Sequence, residues 1–391
     1  MKILILTKCS LFYLDNFYKK YPSVRSLPFE EQRERMLSDH YFWDADLSIY
    51  MKRQGIRTEY IIANAEFLQK KWAEENNFTL YSKADWCNEV AIEQIKRFRP
   101  DILWVSSIFE FFGGFLKTVS PYYKKAVTWI SCPIPENLDF FGISTLITSQ
   151  PHIFKGKWHL FKDVIVTKPG FSADILKEIG AVKKKYDIVF VGSLSLFFQS
   201  RRAVTLAYLI ENGINLDMFI SLYEQPFQAK YNKLREAAAH IIRYHDWRKG
   251  KNTLREAFLE TDYHRNVKRI WRRRKGAVFG LDMYRTLAAS RLALNIHGDI
   301  SSNYAGNARM FEATGVGACL LTENAENITE LFTPGEEIIT YNTKEELLDI
   351  IKAMLRQQDK IEKIAQAGQK RTLKDHTIER VFNDIKPALD I

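Results

Sequence analysis

The sequence predicts an α/β protein made of two parallel-sheet units facing each other across a cleft. Three observations lead there. Short continuous apolar runs alternate with amphipathic helical segments, the pattern of strands covered by helices on both faces of a parallel sheet. The alternation stops at the turn Lys168-Pro169-Gly170 and restarts with the apolar run at 186–191. The chain has 391 residues, too many for one ordinary core and enough for two units of similar size.

In the first unit, residues 2–7 (KILILT) read as a buried strand. Residues 11–54 follow with helical spacing and many aromatics: Phe12, Tyr13, Phe17, Tyr18, Tyr41, Phe42 and Trp43. A strand at 58–62 precedes a helix at 65–75, and the amphipathic helix 84–98 leads past Pro100 into a strand at 102–106. Short strands at 127–131, 145–149 and 164–166 complete the unit. The second unit opens with a strand at 186–191 that breaks at Gly192-Ser193 and is followed by a helix carrying Arg201 and Arg202. A strand at 216–221 and a basic helical region over 223–275 come next. Residues 281–322 read as helix, buried strand, polar loop, short helix, buried strand. A strand at 337–341 and helices at 344–356, 359–373 and 378–385 end the chain, the last stopping before Pro387. Units of 1–168 and 169–375 with a final helix in 376–391 are expected. Paired this way, their strand C-terminal edges border a cleft, where open α/β sheets bind ligands.

Composition narrows the class. Hydrophobic residues at 46% and charged residues at 27% exclude a disordered or low-complexity chain. Cys9, Cys87, Cys132 and Cys319 show no CxxC or metal-ligand spacing and read as buried free thiols of a reducing compartment. The start MKILILTKCS is a strand and not a signal peptide, and no apolar run approaches the roughly 20 residues needed to span a bilayer. A cytoplasmic location is expected. The net charge of +10 is concentrated in residues 241–276, where twelve Lys/Arg stand against four Asp/Glu, a net of +8. That segment reads as a solvated basic face or as a contact for an anionic membrane surface, a lipid phosphate or nucleic acid.

The chemistry concentrates in 297–312. Gly298, Ser301, Ser302, Asn303 and Gly306 form a polar loop feeding a helix that begins near Asn307 and carries Arg309 and Glu312. Unpaired N–H groups and the positive dipole end make such a helix start an anion site. A carboxylate beside it accepts hydrogen bonds from sugar hydroxyls, so phosphate plus ribose is outlined. Asn303 and Asn307 also suit N-cap positions. His297 ends a buried strand, where α/β proteins place ligand groups.

The stretch GLDMYRTLAASRLALNIHGDI, then YAGNARMFEATGVGACLLTENAENITELFTPGEEIITYNTKEEL and the tail GQKRTLKDHT, resembles the glycosyltransferase-1-like domain of spore-maturation CgeB-type glycosyltransferases. The segments FEEQRERML, NAEFLQKKWAEE and DILWVSS extend the resemblance to the N-terminal half, leaving out roughly 223–275. It implies a GT-B fold: two facing Rossmann-like domains, an acceptor domain over 1–168, a nucleotide-sugar domain over 169–375, and a terminal helix packing back on the first. It further implies that Glu312 holds the donor ribose. Asn307, Arg309 and the backbone from Gly306 meet the diphosphate, and Asn303 belongs to the same loop. His297 and Gly298 match the family's Asn-x-His-Gly and belong to the donor site, with His297 near the chemistry. Gly192 and Ser193 form the first strand–helix turn near the phosphates, with charge from Arg201 or Arg202.

Retaining relatives carry a second carboxylate eight positions upstream of the ribose glutamate; here that position is Tyr304. No Asp-x-Asp stands at a strand end, so no metal or other cofactor is expected, and a helix terminus with arginine can stabilise the leaving phosphate. A UDP-sugar is the expected donor. The acceptor is a glycan, lipid-linked glycan, protein or nucleic acid. If the enzyme inverts, a general base belongs in the N-terminal half, and Asp44, in a cluster with His40 and Asp46, is the residue expected to serve. Other readings are a DNA-modifying glycosyltransferase using 241–276, a sugar-nucleotide epimerase, and a non-catalytic sugar-nucleotide-binding protein.

Overall fold

Strands β1 (Lys2–Thr7), β2 (Arg57–Ile62), β3 (Ile102–Val105), β4 (Lys125–Trp129), β5 (Ile143–Thr148) and β6 (Asp163–Val166) form a six-stranded sheet in the order β2-β1-β3-β4-β5-β6. Every pairing in it is parallel. The computed structural model describes residues 1–82, 84–135, 138–195, 199–222 and 262–391, with 234–235, 238–243, 247, 249 and 251. A second parallel sheet runs β11-β10-β9-β7-β8, from β7 (Tyr186–Leu194), β8 (Asp217–Leu222), β9 (Ser290–Asn295), β10 (Cys319–Glu323) and β11 (Ile339–Tyr341).

The apolar runs are continuous because helices cover both faces. Ile3, Leu4, Ile5 and Leu6 of β1 are all fully buried; the odd pair joins one core cluster and the even pair the other. In each sheet the strand order reverses once, between β1 and β3 and between β7 and β9. The loops leaving the C-terminal ends of those neighbours diverge and open a crevice, the usual ligand position in open α/β sheets.

The last long helix, Ile378–Ile385, crosses back as expected. Ile378, Val381, Phe382 and Ile385 join the N-terminal core, with the Phe382 ring 5.4 Å from Tyr50. The crossing is pinned to the chain that leaves the first sheet: Phe171 N–H donates to His376 O at 2.8 Å and Ile378 N–H to Phe171 O at 3.1 Å. Gly170 is required there, because a Cβ would stand 2.7 Å from Thr377 O.

One expectation about β7 is corrected. The strand does not break at Gly192-Ser193; Gly192 pairs with Ile220 and Ser193 with Ser221, and β7 runs on to Leu194. A glycine that reads as a turn serves instead to let the Phe190 ring lie close, 3.1 Å from where a Cβ would be.

Part of the basic segment 241–276, including 252–261, lies outside the described residues. Its described end, the helix Asp262–Arg273, buries Val267 and Ile270 in the second core. Arg269 pairs with Glu211 and Lys275 with Asp217, so part of this charge is structural. Among the described residues no helix is long and apolar enough to cross a membrane. All four cysteines are free, Cys9 and Cys319 buried and the other two partly so.

Candidate active site

The crevice at the β7/β9 reversal holds most of the residues singled out in the sequence. Beyond the end of β9, the polar side chains form one hydrogen-bonded chain. Asn295 Nδ2 donates to Thr322 Oγ1 (2.9 Å), Asn307 Nδ2 donates to Asn295 Oδ1 (2.7 Å), and His297 Nδ1 lies 3.0 Å from Asn307 Oδ1. With its amide nitrogen committed to Asn295, Asn307 offers His297 only an acceptor, so the imidazole proton sits on Nδ1. The backbone N–H of His297 donates to Glu323 Oε2 at 2.6 Å. This leaves Nε2 of His297 as a bare lone pair, buried and without a partner among the described residues.

Burial, aided by the charges of Arg202 and Arg201, pushes the His297 pKa down to about 4. The group is therefore neutral at ordinary pH, and its folded pKa lies below the ordinary value of 6.5. Between those values the unfolded chain holds a proton that the folded chain does not, so stability rises with pH across the window. Acidification from pH 6.5 to 4.5 is expected to cost about 2 kcal/mol through this group. Urea unfolding of wild type and His297→Asn at both pH values measures it. The wild type should lose that much more than the variant, and equal losses would exclude the assignment.

Asn307 stands at the N-cap position of the helix Ala308–Gly315, yet no side chain caps that helix. Its amide is turned inward to Asn295 and His297, and the first-turn N–H groups are not taken by a cap. Asn303 does not cap it either; it is exposed in the preceding turn, where its carbonyl accepts from Glu326 N–H at 3.0 Å. Asn327 grips the loop reciprocally, accepting from Ala305 N–H at 2.7 Å and donating to Ala305 O at 2.9 Å. Gly306 is buried against the N-terminal half, where a Cβ would stand 3.0 Å from Ser149 O and 3.1 Å from Gln150 Nε2. Within the helix, Glu312 Oε2 pairs with Arg309 Nη1 at 2.7 Å, and Arg309 Nη1 also lies against Met283 Sδ. Glu312 Oε1 has no hydrogen-bond partner among the described residues.

Arg202 is the arginine that enters the crevice. Its Nε donates to Ile296 O at 2.8 Å and Nη1 to Ser193 O at 3.3 Å, tying the end of β7 to the end of β9. Burial, with help from the nearby Arg309 charge, lowers its pKa to about 10, so it remains a cation at neutral pH. Arg201 is half exposed, pairs with Asp299 at 3.3 Å and donates to Gly298 O at 3.2 Å.

Asp299, which sequence reasoning missed, corrects another expectation. Its Oδ2 accepts from Ser200 N–H (2.7 Å) and Ser200 Oγ (2.6 Å), and its Oδ1 from Arg201 N–H (3.2 Å). Burial by itself would raise the Asp299 pKa; these donors outweigh it and hold the pKa below the ordinary value. The N-terminus of the helix Ser200–Glu211 is thus filled by a carboxylate, and Ser193 Oγ is engaged by Gln199 Nε2 at 2.9 Å. The start of this helix is taken by a carboxylate, whereas no side-chain cap is seen at the helix start at Ala308 among the described residues. Glu323 was also missed; it accepts from His297 N–H, 26 positions away, and lies 4.0 Å from Arg201.

Asp44 is a correction as well. Tyr60 Oη donates to Oδ1 (2.8 Å) and Ser106 Oγ to Oδ2 (2.6 Å), and the residue is only 5% exposed. Each oxygen accepts a hydrogen bond that anchors the helix Trp43–Arg53 to the sheet, and the buried carboxylate is not presented to an acceptor. Its sequence neighbours part company with it: His40 Nδ1 and Asp46 Oδ1 meet at 2.5 Å and line a separate cavity of about 650 Å³ with Tyr50, Phe171 and Ile378.

Comparison with known proteins decides what this architecture is. Residues 245–386 match a family profile described as glycosyl transferase-like, which contains the loop and helix just described. Over 100% of its length the chain superposes on 99% of Anabaena HepE in complex with UDP and glucose, with a TM-score of 0.53 at 13% identity. It likewise covers 98% of sucrose-phosphate synthase from Thermosynechococcus elongatus (all of this chain, TM-score 0.51, 10% identity) and 96% of a Rickettsia africae glycosyltransferase (all of this chain, TM-score 0.51, 9% identity). Residues 245–386 are thus glycosyl transferase-like in sequence, and the whole chain has the GT-B fold of these glycosyltransferases. A search of curated proteins finds no match.

Proposed function

We propose that the chain transfers a sugar from a UDP-sugar to an acceptor hydroxyl without a divalent metal, as a CgeB-like glycosyltransferase. The observation that carries this reading is the combination at the crevice. The uncapped start of the helix Ala308–Gly315 lies within charge range of Arg202, and one turn along it Glu312 presents a free carboxylate oxygen. The N–H groups and Arg202 suit a diphosphate; Glu312 suits the vicinal hydroxyls of a ribose. HepE, bound to UDP and glucose on the same fold, supports uridine as the base.

The chemistry follows from these groups. When the glycosidic bond to the phosphate breaks, negative charge grows on the leaving diphosphate. Arg202 and the helix N-terminus stabilise that charge in place, which is the task a metal performs in other transferases. Neutral His297, with Nε2 free, accepts a hydrogen bond from a hydroxyl of the donor sugar, the contact that Tyr304 lacks a carboxylate to make. Asn307 orients His297 and at the same time leaves the helix start open.

Two measurements test the reading. A thermal-shift screen should show the melting temperature raised by UDP or a UDP-sugar, since a ligand bound only by the folded state stabilises it. Donor turnover should then persist in EDTA. Loss of turnover in EDTA that Mg²⁺ or Mn²⁺ restores would overturn the metal-free mechanism.

A further inference from the structure

Lys168 lies where the chain leaves the first sheet, two residues beyond the end of β6. Its Nζ donates to Ser149 O at 2.8 Å, just past the end of β5, and reaches Ala305 O at 3.4 Å in the loop that feeds the open helix. The same ammonium sits 4.4 Å from the centre of the Tyr304 ring. A Cβ on Gly306 would stand 3.4 Å from it. One cation therefore touches three consecutive residues of the loop and the backbone of the opposing sheet. Other polar groups at this seam do less: Gln150 Nε2 is 3.5 Å from Tyr304 O, while Gln150 Oε1 and both ring nitrogens of His152 are buried without partners among the described residues.

We propose that Lys168 is a positioning residue for the donor loop: its ammonium clamps residues 304–306 so that the N–H groups opening the helix at Ala308 point at the donor diphosphate. The inference rests on the proposed donor site. The loop needs such a clamp, because Ser302 holds a positive φ of 51° and Gly306 adds backbone freedom just before the helix. Anion stabilisation by N–H groups works only where they are fixed beforehand. The charged form of Lys168 is the one that binds two carbonyls and an aromatic face. Burial lowers its pKa to about 8, against a smaller opposing effect of Glu330. The other groups facing it are Tyr304 and His152; burial, the Lys168 charge and Lys155 push the His152 pKa down, with Glu326 acting on it in the opposite sense. The positioning supplied by the ammonium is thus present below pH 8 and fades above it as the proton is lost, whereas this group does not lower folding stability between pH 8 and 10.5, because there it is the unfolded chain that holds the proton.

The test compares wild type, Lys168→Met and Lys168→Arg by two readouts. The first is hydrogen exchange of the peptide spanning 303–310 in the free protein. It should quicken in the Met variant, return to the wild-type rate in the Arg variant, and leave the β1 and β3 peptides unchanged. The second is the dissociation constant for UDP between pH 7 and 9.5. Wild type should weaken about tenfold as the pH rises, the Met variant should be about tenfold weaker at pH 7 and flat, and the Arg variant tight and flat. Unchanged exchange at 303–310 in Lys168→Met, or faster exchange spread over the whole first sheet, overturns the inference whatever UDP does. A wild type that binds no UDP, with the exchange pattern as expected, counts against the donor reading and not against the clamp.

Discussion

Replacing Arg202 with methionine is expected to reduce turnover by a factor of about 10²–10³, the cost of removing one preorganised donor from a developing anion. Methionine keeps an unbranched apolar stem and removes the charge and the N–H fork. The fork also has a structural task. It joins Ile296 O at the end of β9 to Ser193 O at the end of β7, across the reversal in strand order. Losing both bonds leaves two partly buried carbonyls without that donor, at about 1–3 kcal/mol each. The melting temperature should therefore fall along with activity. Arg202→Lys separates the two effects, because lysine retains the charge and cannot bridge two strands as a planar fork does. Its turnover should recover in part while its melting temperature stays low. Turnover of Arg202→Met equal to wild type would remove Arg202 from the mechanism.

Replacing Glu312 with alanine is expected to act on binding with little effect on the fold. The carboxylate makes one pairing, to Arg309 within its own helix, and such i,i+3 pairs contribute only about 0.5 kcal/mol. Its free oxygen is what a ribose needs. Hydrogen bonds to a charged acceptor are worth about 1.5–3 kcal/mol, so the dissociation constant for UDP should rise roughly 10- to 100-fold. Glu312→Gln keeps a neutral acceptor and should lose less. Circular dichroism melts of both variants should overlay the wild type.

The parts of this molecule that could be read from the sequence are those whose cause is local. Strand β1 is a run of residues buried on both faces, and its bounds 2–7 match the sequence reading. The helix after Asn307 was legible because the loop, the helix start and Glu312 lie within one short stretch. What escaped was decided by contacts between distant residues. Asp299 fills the start of the helix Ser200–Glu211 from 99 positions away, and no local signal in HGD separates a ligand carboxylate from a helix plug. Asp44 sits in a cluster of acids and aromatics that suits a base or an anchor equally. Ser106, 62 positions away, and Tyr60 are what make it an anchor.

Asn307 shows how a correct position can carry a different role. The N-cap location follows from the helix pattern, but a cap also needs its side chain turned to the helix, and Asn295 and His297 turn it the other way. Lys168 marked only a turn in the sequence. Its partners come from the end of one sheet and the ligand loop of the other, so its role exists only once the two halves meet.

The account stands on the crevice at 297–312 holding a nucleoside diphosphate. Calorimetric titration of UDP into the wild-type chain and into Glu312→Ala, side by side in EDTA, tests this most directly. The account predicts saturable one-to-one binding to the wild type, weakened at least about tenfold in the variant. Failure of the wild type to bind UDP, GDP or dTDP, or equal binding by the two proteins, would contradict it.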